Sequence, residues 1–199
     1  MPFLQVFTAK IPQYTGEHVY PQARQEEIVA TKNEKVRAEK FGVWKLLQFA
    51  VEQTFSRPFN DFIFTKNENG KWVCKDFYFS LSHSKNVVAV ALSSSPVGVD
   101  IQIDEPLQNL SIAKKILNDK EMGIIKTLPE KEMNAYLVGV WTQKEAAFKR
   151  ENEKIFIPRK IQLQDTETLL TKKMETEKYL LSISSTLLSH LLIHENVIL

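Results

Sequence analysis

With one cysteine in 199 residues, Cys74, the chain can form no internal disulfide, and nothing in it calls for an oxidising compartment. It also lacks any apolar run long enough to span a bilayer. The amino-terminal MPFLQVFTAKIPQY has neither the basic flank nor the apolar stretch of a secretory leader. A soluble, unprocessed, cytoplasmic protein is expected, with no membrane partner. Charge of one sign is not in excess: 26 Lys and Arg stand against 24 Asp and Glu, so the net charge of +2 provides no global field to gather nucleic acid. Short-period repeats and low-complexity tracts are absent. His190 and His194 are four residues apart, but LLSHLLIHENVIL reads as strand and has no HExxH order, so no zinc site is expected there. The hydrophobic share of 43% and charged share of 25% suit one large globular domain or two small ones.

The pattern of elements predicts a mixed α+β layout, roughly β-α-β-β-β-α-α-β-β-β, in which two similar halves are conceivable. Phe3 to Ile11 reads as a strand, and 24–55 as one or two amphipathic helices with a basic outer face that includes Arg24, Arg37 and Lys40. Asn67, Asn69 and Gly70 mark a turn. The stretches WVCKDFYFSLSHS and VVAVALSS then form strands joined around Ser84 to Asn86. Val97, Val99, Ile101 and Ile103 share one face of the next strand, and Asp100, Gln102 and Asp104 share the other, with Asp104 read as a loop or capping residue. Helices are expected over 111–126 and 130–150, the second opened by Pro129. Strands are expected over 155–164, 179–184 and 187–197, with 166–178 as an exposed connection.

Three segments carry chemistry: SLSHS (80–84), GVDIQ (98–102) and WTQKEAAFK (141–149). In GVDIQ a carboxylate and an amide oxygen two residues apart point to the same side of a strand. In WTQKEAAFK, Trp141, Glu145 and Lys149 fall at i, i+4 and i+8 along one helical face, with Lys144 beside them. If strand and helix pack together, Asp100 and Glu145 can share a magnesium ion, which takes only one or two protein carboxylates and keeps several waters. Lys144 and Lys149 would then flank bound phosphates. His83, with the Ser82 hydroxyl nearby, would reach another phosphate oxygen. Each motif alone has a plainer explanation, as a solvent-facing strand Asp, an exposed ion-paired helix or a strand end with satisfied hydroxyls. Their joint occurrence favours a site.

In order and spacing the three segments resemble the signature of the Sfp-type 4′-phosphopantetheinyl transferases: an SHS strand, a GVDIE-like strand and a WxxKEAxxK helix, the last matching at every fixed position. Gly70-Lys71 resembles the glycine-lysine that precedes the SHS strand in that family. The resemblance implies a pseudo-twofold fold of two similar α/β halves, 1–95 and 96–199, with coenzyme A in the cleft between them. It implies transfer of the phosphopantetheine arm from coenzyme A to a serine of an apo acyl or peptidyl carrier protein, with release of 3′,5′-ADP. On this resemblance Asp100 and Glu145 hold magnesium, Lys144 and Lys149 neutralise phosphate charge, His83 contacts a phosphate, and Ser82 and Lys71 lie along the nucleotide. Arg24, Arg37 and Lys40 are candidates for the 3′-phosphate, against a plain solvated helix face. Lys149 and His83 would stabilise the transferring phosphate, and Glu145 is the candidate base for the serine proton.

Two positions depart from the family pattern. Gln102 stands where the second acid of GVDIE is usual, so the site has one formal charge fewer and Gln102 is at most a neutral metal ligand. After Lys149 the family commonly places glycines, whereas this chain reads RENEKIFIP. Two alternatives follow: a degenerate relative that binds coenzyme A without transferring the arm, and a nucleic-acid-binding module using the basic helical face. The length and two-half layout fit a monomer.

Overall fold

The computed structural model describes residues 1–103, 105, 111–163, 169–174 and 179–199. Strand β1 (Leu4–Lys10) leads through helices α1 (Gln22–Val29) and α2 (Glu34–Phe55) to the short strands β2 (Phe64–Lys66) and β3 (Trp72–Cys74). The hairpin β4 (Tyr78–Ser84) and β5 (Val87–Ser93) follows. Strand β6 (Val97–Ile103) then precedes α3 (Ala113–Ile116), α4 (Asp119–Ile125) and α5 (Glu130–Glu151). The described chain closes with β7 (Leu169–Lys173), β8 (Tyr179–Ser185) and β9 (Leu191–Val197).

Two sheets form the centre. One has the order β4-β5-β1-β9, and the other the order β6-β8-β7. In the first, β5 pairs antiparallel with both β4 and β1, and β9 joins β1 in parallel. In the second, β8 pairs antiparallel with both β6 and β7. Strand alternation assigns the faces. Val88, Val90 and Leu92 of β5 pack with Phe41, Trp44, Leu47 and Val51 of α2. Ala89 and Ala91 face Val97, Val99, Ile101, Leu181 and Ile183 of the second sheet. Every residue of β5 is buried, as its unbroken apolar run requires.

The even-numbered face of β6 belongs to α5. Gly98 makes that packing possible, because a Cβ there would lie 1.8 Å from the Ala146 carbonyl oxygen and 2.7 Å from the Arg150 nitrogen. The strand therefore touches helix backbone. Glu130 and Glu132 occupy the first turn of α5 and Lys149 and Arg150 the last, in agreement with the helix dipole. Asn152 ends it in the left-handed conformation, φ 58°.

The expected helix over 111–126 is two short helices, because Leu117 is extended and fully buried and Asn118 starts α4 with a capping box to Glu121. No strand forms within the described part of the expected 155–164 strand. Pro158 opens a 3-10 turn at Pro158–Lys160 instead, and Gln164 lies outside the described residues. A second 3-10 turn, Leu188–His190, delays β9 to Leu191. The WVC segment separates from β4 and pairs with β2, while β7 occupies part of the expected connection 166–178, of which 166–168 and 175–178 lie outside the described residues. Asp104 also lies outside them. The α+β class holds, with one mixed and one antiparallel central sheet.

Candidate active site

The SHS strand meets the GVDIQ strand through side chains. Among the described residues strand β6 is at the edge of its sheet, pairing only with β8, and its other edge carries backbone N–H groups that need acceptors. Three alternate serines of β4 supply them. Val99 N–H donates to Ser80 Oγ (3.0 Å), Ile101 N–H to Ser82 Oγ (3.2 Å) and Ile103 N–H to Ser84 Oγ (3.1 Å). This ladder fixes the register between the two sheets and brings the SHS motif beside Asp100.

Asp100 is 3% exposed. Its Oδ1 accepts from Ser82 Oγ at 2.7 Å and from Lys149 Nζ at 2.7 Å. Its Oδ2 is buried and, among the described residues, has no hydrogen-bond partner. Lys149 Nζ also donates to the Val99 carbonyl at 3.2 Å and lies 3.4 Å from Glu145 Oε2. Burial first, and then the Asp100 charge, push the Glu145 carboxyl up to about 7, with Lys149 opposing both. Two carboxylates thus crowd one ammonium, a donor set with capacity for a further cation.

Around this group the cleft opens as two adjoining cavities that share Leu81 and Lys149. One, about 570 Å³, is lined by His83, Asp100, Gln102, Trp141 and Glu145. The other, about 420 Å³, is lined by Gly70, Lys71, Trp72, Phe148 and Lys154. His83 is half-exposed, with Nδ1 3.7 Å from Glu39 Oε2. Burial holds its imidazole below the usual range, Lys149 adds to that, and Glu39 and Asp100 oppose it. Lys71 Nζ donates to the Lys149 carbonyl at 2.7 Å. Its ammonium is held low, chiefly by burial and also by the Lys149 charge. The turn bearing Lys71 is tied to the same helix end, with Asn69 Nδ2 donating to the Asn152 carbonyl at 3.1 Å and Asn67 Nδ2 to Asn152 Oδ1 at 3.2 Å.

Residues 96–191 match the family model described as the 4′-phosphopantetheinyl transferase superfamily. The chain is 32% identical over 107 residues to the 4′-phosphopantetheinyl transferase psf-1 of Bacillus pumilus, covering 52% of this chain and 46% of that one. It is 25% identical over 185 residues to gsp of Aneurinibacillus migulanus, covering 87% and 78%. To Sfp of Bacillus subtilis (strain 168) it is 28% identical over 116 residues, covering 57% and 51%. All three bear the name 4′-phosphopantetheinyl transferase. Residues 96–191 thus fall within the 4′-phosphopantetheinyl transferase superfamily. The matched stretches span about half the length of the psf-1 and Sfp relatives.

The structure brings together Ser82, His83, Asp100, Gln102, Glu145 and Lys149, with Lys71 at the adjoining cavity. It does not bring Lys144 there. That ammonium is fully buried, donating to Glu121 Oε2 at 2.6 Å and to the Ile116 carbonyl at 2.9 Å, which ties α3 and α4 to α5. The correction has a helical cause: residues 144 and 145 point about 100° apart, so one motif serves both the cleft and the packing of α4. Arg24 is buried over the Trp44 ring and donates to Glu27 at 2.9 Å and to the Lys40 carbonyl at 3.2 Å. Arg37 lies over Tyr14, and Lys40 donates to Thr31 Oγ1 at 3.0 Å. The basic helical face is therefore built largely into intramolecular contacts. Sequence reasoning missed Glu39, Asn67 and Asn69 as neighbours of site residues, because each acts across a long sequence separation. The Asn118 to Glu121 capping pattern was readable and would have signalled the break before α4.

Proposed function

We propose that this protein transfers the 4′-phosphopantetheine arm of coenzyme A to a serine hydroxyl of an apo acyl or peptidyl carrier protein, releasing 3′,5′-ADP. The observation that carries this reading is the contact of Asp100, Glu145 and Lys149 in a cleft walled by the SHS strand. The superfamily match of residues 96–191 and the names of the relatives support it. A magnesium ion suits the buried Oδ2 of Asp100, which has no hydrogen-bond partner among the described residues, and the crowding of two carboxylates, and Asp100 and Glu145 would hold it with the Gln102 amide oxygen beside them. Among the described residues no group of three or more His, Cys, Asp or Glu side chains could hold a metal, so phosphate oxygens and water would complete the shell. When bound, the ion supplies charge neutralisation on the pyrophosphate.

The chain's own residues do the rest. Lys149 and His83 face the phosphate oxygens and stabilise the negative charge that spreads as the serine oxygen bonds to the β-phosphorus and the bond to 3′,5′-ADP breaks. Glu145, 3.4 Å from Lys149 in the cleft, is the acceptor for the serine proton. Lys71 and Lys154 make the adjoining cavity an anion-attracting extension of the cleft.

The reading extends to a pseudo-twofold pair of halves, 1–95 and 96–199. Its support is topological: β4-β5-β1 and β7-β8-β6 have the same order and the same antiparallel pairing, and each half contains a 22-residue helix ending in a left-handed residue. A cytoplasmic monomer fits, since one chain builds both walls of the cleft and no described helix is long and apolar enough to cross a membrane.

The test is intact-mass analysis of apo acyl and apo peptidyl carrier proteins incubated with this protein, coenzyme A and magnesium. A phosphopantetheine-sized gain, lost with EDTA or with Glu145→Ala, is expected. Coenzyme A binding without mass gain on any carrier would favour a degenerate binder in which Gln102 has weakened the metal site.

A further inference from the structure

Ser80, Ser82 and Ser84 perform the same backbone task on the edge of β6, yet among their described contacts only Ser82 also meets a carboxylate. The direction of its hydrogen bond is determined. Because Ser82 Oγ accepts the Ile101 N–H, its own proton is available to donate, and Asp100 Oδ1 lies 2.7 Å away. Lys149 donates to that same oxygen at 2.7 Å. Two donors on Oδ1 fix the plane of the carboxylate and leave Oδ2 buried, with no hydrogen-bond donor among the described residues, near the Glu145 carboxyl. Ser82 is 5% exposed at the wall of the cleft, so most of its polar surface is engaged in this network.

We propose that Ser82 is a positioning residue of the cation site: its hydroxyl, anchored by the Ile101 N–H, holds Asp100 Oδ1 so that Oδ2 is presented to a divalent cation. The inference rests on the transferase reading only in taking Asp100 and Glu145 as that site. It also separates the two hydroxyl-bearing neighbours of the SHS histidine. Ser82 acts on the metal-binding carboxylate, while Ser84 stitches the strands at Ile103. Partners that orient a ligating carboxylate typically change metal affinity 10- to 100-fold when removed.

Manganese, observed directly by electron paramagnetic resonance on the free protein, is the probe. Ser82→Ala should weaken manganese binding by about tenfold or more. Ser80→Ala removes an equivalent acceptor at Val99 without touching Asp100, and should leave manganese affinity within about twofold. Coenzyme A affinity, measured by calorimetry in EDTA, should fall far less than manganese affinity in Ser82→Ala. If Ser82→Ala fails to fold, Ser82→Cys, similar in shape and a weak donor, carries the same comparison. Equal manganese affinity in wild type and the Ser82 variant overturns the inference, as does a loss of coenzyme A affinity in EDTA with manganese binding intact. A wild type that binds no manganese overturns it as well, while the carrier mass assay continues to report on the transferase reading independently.

Discussion

Glu145 and Gln102 line the same cavity, but their environments differ in a way that ranks them. Glu145 is crowded by Asp100 and paired with Lys149 at 3.4 Å, whereas Gln102 contributes a neutral amide. Glu145→Ala should lower the rate of carrier modification by about 100-fold or more, the range for removal of a positioned proton acceptor, and Gln102→Ala by less than about tenfold. Equal losses would refute this ranking. Lys144 makes a different prediction from the same motif. With Glu121 left buried and uncompensated, Lys144→Met should destabilise the protein by about 3–5 kcal/mol in urea unfolding. Pairing it with Glu121→Leu should recover much of that loss. A Lys144 variant with normal stability and lost coenzyme A binding would instead return this residue to the cleft. The sequence placed Glu145 and Lys149 correctly relative to each other because i and i+4 on one helix is a local relation. It could not place Lys144, whose partner Glu121 is 23 residues away on another helix.

At the level of elements, the long-period signals were legible and the short ones were not. β1, α2, β5, β6, α5 and β8 were all readable, because each has a face of apolar residues at one clear period or, in β5, an unbroken apolar run. β2 and β7 are three and five residues long, with few apolar positions, and the pairing partners that stabilise them lie beyond any local window. The junction of β6 and α5 is the decisive one for the site. Gly98 lies directly against α5, and an added methyl would meet helix backbone that cannot rotate aside. Gly98→Ala should therefore force α5 outward, destabilise the protein by about 1–3 kcal/mol or more, and separate Lys149 from Asp100. Thermal unfolding and coenzyme A affinity should fall together. Gly123→Ala, with open space at the Cβ, is the control and should be neutral or slightly stabilising.

Across the whole molecule, the cleft is made where β4 meets β6 and α5, and that meeting brings the Asp100 and Glu145 carboxylates together. Glu145 binds protons more tightly in the fold, at about 7, than the 4.5 expected of the unfolded chain. The folded state therefore holds more protons than the unfolded state between those values. Its contribution to stability is fully present below about 4.5 and is lost as pH rises through about 7. His83 acts oppositely, since its lowered proton affinity withdraws stability as pH falls below the ordinary histidine range. Comparing wild type with Glu145→Gln isolates the first effect. The variant should gain in melting temperature relative to wild type at pH 8 and show no such gain at pH 4.5. A divalent cation should reverse the penalty, because it favours the ionised carboxylate. The rise in melting temperature on adding magnesium and coenzyme A should be larger at pH 8 than at pH 5.5, and should shrink at pH 8 in Glu145→Gln. A magnesium-dependent increment that is flat across this range would show that the cation is held without Glu145, leaving that carboxylate as proton acceptor alone.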